Sequence, residues 1–106
     1  MNSQHMYLFI RRDLSVAQQI IQMSHAVYAV GCRWASERSH SPNFVLIGVS
    51  NESELHKIED WLGSYNIPNA KFYEPDVSEH TAICTIPLTV DERKIFKKFN
   101  TYRSLT

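Results

Sequence analysis

Gln18, Gln22 and His25 stand four and three residues apart, so on a helix of about 100° per residue they fall within an arc of roughly 60°. Imidazole exchanges protons near neutral pH, and a primary amide beside it can hold a water or a carbonyl, so this ridge has parts suited to hydrolysis. The same residues would sit equally well on a solvated face, and Gln18 is also placed as capping partner of Ser15. A carboxylate is offered by Glu74-Pro75-Asp76, where Asp76 follows a strand and proline stiffens its presentation. Asp and Pro also favour turns for conformational reasons alone. His80 beside Glu79 offers a metal or proton-transfer group, but no HxH, HExxH or Cys/His cluster accompanies it, so no metal and no cofactor are expected.

Other chemistries lack their motifs. Gly31, Gly48 and Gly63 are isolated, which leaves neither a phosphate-cradling loop nor a dinucleotide fingerprint. Cys32 and Cys84 match no CxxC pair, zinc spacing or nucleophile motif, and no GxSxG elbow occurs. A hydrolase built from these residues would use water as its nucleophile. Formal net charge is zero, so any anion-binding surface must come from uneven placement of charge. No apolar run approaches the roughly 18 residues of a membrane span, and a cytoplasmic protein is expected.

The elements that would carry these groups follow from hydrophobic period. With 106 residues, 43% hydrophobic and 21% charged, the chain suits one globular core, read as a single domain over 6–106 with Met1 to His5 outside it. Tyr7-Leu8-Phe9-Ile10 reads as a strand. From Ser15 to Ala35, Val16, Ile20, Met23, Val27, Val30 and Trp34 make an apolar stripe that should face a sheet, with the Gln18–Gln22–His25 ridge turned away. Ser36 to Asn43 reads as a loop. Phe44 to Val49 is nearly continuously apolar, the pattern of a central strand covered on both faces. Asn51 with Glu54 caps a helix striped by Leu55, Ile58 and Leu62, with Gly63 as a left-handed stop. Ala70–Tyr73 and Thr81–Ile86 read as strands, and Thr89 with Glu92 opens a last helix carrying Ile95, Phe96 and Phe99 beside Arg93, Lys94, Lys97 and Lys98. The order β-α-β-α-β-β-α predicts an α/β fold, a four-stranded mixed sheet with helices on both faces.

Arg12-Asp13-Leu14 after the first strand, followed by Gln22-Met23-Ser24-His25-Ala26 on the first helix, resembles the type II peptidyl-tRNA hydrolase family. The likeness extends over roughly the whole domain, with Gln22 to Ala26 as its specific motif. It implies a cofactor-free esterase, often dimeric, that releases peptide from tRNA. Carried over by position, His25, Asp76 and Gln22 would be catalytic, while Arg12, Gln18 and Thr81 would contact substrate. The family's lysine-rich glycine turn is absent, Gln18 being the nearest match to its functional lysine, and Asp76-Val77-Ser78-Glu79-His80 lacks the glycine of the family's Asp-x-Gly-x-Thr pattern. Arg11, Arg12 and the basic last helix are the available substitutes for phosphate contacts to tRNA. Two other readings are a non-catalytic tRNA- or protein-binding member of the fold, and a homodimeric regulatory module anchored by Trp34, Trp61 or Tyr102.

Overall fold

The apolar stretch Tyr7 to Ile10 leaves no polar side on an extended chain, so it is stable only where both faces are covered. In the computed structural model, which describes residues 4–34 and 38–99, it forms the middle of β1 (His5–Arg11), buried from Met6 onward. β1 pairs in parallel with β2 (Asn43–Val49) and antiparallel with β4 (Glu79–Thr85). β3 (Asn69–Glu74) pairs antiparallel with β4, giving the sheet order β2-β1-β4-β3. α1 (Val16–Trp34) follows β1, α2 (Glu52–Ser64) follows β2, and a 3₁₀ helix (Glu92–Lys98) comes last. Tyr7 and Phe9 on one side of β1 meet Phe96, which Trp61 of α2 also meets at 5.2 Å, while Leu8 on the other side lines a cleft with Met23 and Val27 of α1. The fold is therefore α/β, a four-stranded mixed sheet with helices on both faces, as the pattern predicts.

Several details differ from the pattern. β2 is an edge strand, not a central one, since it stands at one end of the sheet order, and α1, which packs over β3, β4 and β1, leaves Phe44 of β2 57% exposed. The ordered fold begins before Met6. His5 opens β1 and exchanges backbone hydrogen bonds with Leu88 at 3.0 and 2.7 Å, and the Gln4 carbonyl accepts from Asn43 N–H at 2.9 Å. Gly63 lies inside α2, and Asn66 takes the left-handed position (φ 57°). Ile67 N–H then bonds the Leu62 carbonyl and Asn66 N–H the Gly63 carbonyl, a Schellman closure with Ile67 and Leu62 both buried. Asn tolerates that conformation because its short polar side chain lowers the cost. Ala35 and Tyr102 lie outside the described residues. Among the described residues no helix is long and apolar enough to cross a membrane.

The last segment keeps its predicted capping box but winds as a 3₁₀ helix. Glu92 Oε1 accepts from Thr89 N–H at 2.9 Å, and Thr89 Oγ1 accepts from Glu92 N–H at 3.4 Å. Arg38 donates to both oxygens of Glu92, at 2.7 and 3.2 Å, and so ties the post-α1 segment to the C-terminal helix. These bonds, the Arg38 guanidinium first, pull the Glu92 carboxyl down to about 2 from an ordinary 4.5. A carboxyl depressed by folding contributes stability that is fully present above its unfolded value and is lost as pH falls through its folded one. Glu92→Gln is thus expected to cost about 1 kcal/mol at neutral pH, because partial solvent contact screens the pair. In urea melts the deficit should shrink below pH 4.5 and vanish near pH 2.

Candidate functional site

Ser15 Oγ accepts the Gln18 N–H at 3.2 Å and starts α1 as its sequence predicts. The face that α1 then buries is Gln19, Gln22, Ala26 and Val30, which differs from the expected stripe. Met23, Val27 and Trp34 stay half-buried, but Ile20 is 49% exposed, and Gln22 is 1% exposed and turned toward the β3–β4 hairpin. The amide ridge expected to point away from the sheet instead docks the helix on it. The cause lies in β4. Pairing with β3 steps from Phe72↔Ala82 to Tyr73↔His80, so Thr81 is an extra, bulged residue. Its hydroxyl donates to Gln22 Oε1 at 2.7 Å. Gln22 Nε2 donates to Glu74 Oε1 at 2.9 Å and to Gln18 Oε1 at 3.1 Å. Both N–H bonds and the oxygen of the buried amide are engaged, which burial of such a group requires.

Three of the six residues singled out from the sequence, Gln18, Gln22 and Thr81, therefore share one hydrogen-bonded network. His25 sits one turn further along α1, exposed, with its ring stacked on Phe72 at 4.3 Å and 5°. Asp76 is exposed in the hairpin turn, its backbone N–H facing Glu74 Oε2 at 3.5 Å. The carboxylate that meets the amide ridge is Glu74. Strand alternation contained this signal, since Phe72 and Glu74, two residues apart on β3, must share a face. The bulge at Thr81 had none.

Arg12 is exposed where β1 ends, and its backbone N–H bonds the Val49 carbonyl at 2.7 Å. Arg11 is buried and clamps the end of the sheet. It donates to both oxygens of Asp13 (2.9 and 2.8 Å), to Glu79 at 2.7 Å and to the His80 carbonyl at 3.0 Å. The Arg11 hydrogen bonds hold the Asp13 carboxyl below the usual carboxylate range. The basic residues of the 3₁₀ helix lie across the sheet from Gln22, where Lys98 Nζ stands 4.2 Å over the Trp61 ring and Arg93 Nε donates to Tyr7 Oη. Trp61 packs among Tyr65, Phe96 and Phe99, so it is held within the fold. Trp34 lines a cleft of about 380 Å³ with Met6, Val27 and Phe44.

No family model matches the chain, and no curated protein matches it. Among solved structures, a protein of unknown function from Agrobacterium tumefaciens strain C58 is similar, with a TM-score of 0.64 and 14% identity over 96% of this chain and 99% of that one. At that identity the likeness is one of fold.

If Gln22 docks α1, its removal strands the Thr81 hydroxyl and the Glu74 carboxylate and opens a void. Gln22→Ala is expected to cost about 3 kcal/mol in urea denaturation. Gln18→Ala, at an exposed position, should cost about 0.5 kcal/mol or less. Equal losses would contradict this account of the interface.

Proposed function

We propose that the chain is a non-catalytic, protein-binding member of the peptidyl-tRNA hydrolase-like fold whose α1–β2 face takes a second copy of itself. The observation that carries this reading is the apolar surface left between helix and edge strand. Tyr28 is 74% exposed, and Ile20, Ile21 and Phe44 are each close to half exposed or more. Ile20 and Tyr28 border a cleft of about 580 Å³ whose other walls are Leu8, Met23, Ser24, Val27, Phe44 and Leu46. The exposed area is on the order of 400 Å², the size at which apolar patches on soluble proteins mark interaction sites. A twofold contact around the β2 edge would pair its outer backbone groups and enlarge the buried area toward the roughly 800 Å² per partner of a standard interface. The absence of catalysis is supported by Gln22, whose donors are committed to Glu74 and Gln18, and by Arg11, whose guanidinium is committed to Asp13 and Glu79.

One observation favours a second reading, an esterase acting on peptidyl-tRNA. Gln18, Gln22, Thr81 and a carboxylate meet beside His25, and in that reading Glu74 or His25 activates the water.

Light scattering tests the dimer, and a release assay separates the two readings. The wild-type chain is expected at twice its chain mass, and Phe44→Glu or Tyr28→Lys should return it to one chain mass with an unchanged circular dichroism spectrum. A peptidyl-tRNA release assay should show no cleavage above buffer. A monomeric wild type would end the dimer proposal, and release that falls with Glu74→Gln would establish the esterase instead.

A further inference from the structure

Across the sheet from Gln22, two side chains of α2 converge with one from β4, distant in sequence. Glu52 and His56 lie four residues apart on α2 and so share one helix face. His80 enters from β4, where the bulge places it opposite Tyr73. Its backbone N–H donates to Glu52 Oε2 at 2.7 Å, which fixes the carboxylate against the strand. Glu52 Oε2 stands 3.6 Å from His80 Nδ1 and 3.9 Å from His56 Nε2, and one ligand atom of each of the three lies within 4.8 Å of the other two. The two imidazoles meet edge to face at 5.1 Å. All three side chains are half-buried, close enough to the surface for a solvated ion to enter.

We propose that Glu52, His56 and His80 form a binding site for a divalent first-row transition ion. Ligand atoms about 2.1 Å from a tetrahedral ion are separated by about 3.4 Å, so two of the three spacings need only small side-chain adjustments. Two imidazoles and one carboxylate are the donor set that zinc and its neighbours take, whereas calcium and magnesium select oxygen ligands. Three protein ligands leave the fourth position to water. Bound there, the ion ties α2 to the β3–β4 hairpin, adding to the hydrogen bonds that Glu52 and Lys71 make across the same junction.

Lys71 is the group that opposes the ion. Its Nζ lies 3.1 Å from His56 Nδ1 and 2.6 Å from Glu59 Oε1. An ammonium only donates, so in this arrangement His56 Nδ1 accepts and Nε2 carries the proton. Coordination through Nε2 moves that proton to Nδ1, and Lys71 must then withdraw toward Glu59. The site is thus specific enough to predict a gain as well as losses, and it stands apart from the use made of the α1–β2 face.

The test is a calorimetric titration of zinc into the full chain near neutral pH, with magnesium as control. One zinc per chain is expected, with affinity at least about tenfold weaker in His56→Ala, His80→Ala and Glu52→Gln. Glu52→Gln keeps an acceptor for the His80 N–H, so it remains informative where a histidine variant fails to fold. Lys71→Met should bind zinc at least about threefold more tightly by relieving cation repulsion. Saturating zinc should raise the melting temperature of the wild type by about 5 °C and leave Glu52→Gln unmoved. Absence of zinc binding by the folded wild type, or wild-type affinity in all three ligand variants, would overturn the proposal, the latter assigning the ion to exposed thiol or imidazole groups elsewhere.

Discussion

A primary amide removed from water must find partners for two N–H bonds and a carbonyl, and it will hold any element in place that supplies them. Gln22 finds these partners in Thr81, Glu74 and Gln18, so it sets where α1 rests on the sheet. The bulge makes this possible by bringing the Thr81 hydroxyl to the helix face in a strand whose regular pleat would alternate it away. Anchored over β3 and β4, α1 cannot also cover β2. The bare apolar face of Phe44, Ile20 and Tyr28 follows from that single placement.

The two faces of the sheet consequently hold different chemistry. On the α1 side a polar network lies beside an apolar gap. On the other side Tyr7, Phe9, Trp61, Phe96 and Phe99 form an aromatic cluster, with Tyr7 and Phe96 stacked at 4.0 Å and 13°. Toward the β4 entrance this cluster gives way to Lys71, His56, Glu52 and His80. There, burial first and then the nearby Lys71 and His56 lower the pKa of His80. Arg11 closes the same end, since one guanidinium binds Asp13, Glu79 and the His80 carbonyl, and so joins β1 to the hairpin from which both polar clusters draw residues.

The proposed self-association rests on the distribution of charge and exposed area. A tRNA-binding surface needs cations that are free to meet phosphate, whereas Arg11 is enclosed by carboxylates and the basic 3₁₀ helix lies behind the sheet from the amide network. Apolar area at an edge strand is better suited to another protein surface, where water release favours association without net charge. The neutral balance of the chain agrees with that proposal.

Local pattern was enough for the element order, the caps at Ser15, Asn51 and Thr89, and the mixed sheet, because capping bonds and hydrophobic period act over a few residues. Helical spacing put Gln18 beside Gln22, whereas Thr81 was joined to them only through family resemblance. Which face α1 buries, that β2 lies at an edge, and that Glu74 reaches the amide where Asp76 does not were decided by tertiary structure. The first and last depend on a strand bulge and on hydrogen bonds spanning more than fifty residues, and the second on the order in which strands pair; alternation along β3 puts Glu74 on the face of Phe72 but does not say what meets it there. The Glu52–His56–His80 convergence belongs to the same class: the sequence alone determined that Glu52 and His56 share a helix face, and only packing of α2 on β4 brought His80 to meet them.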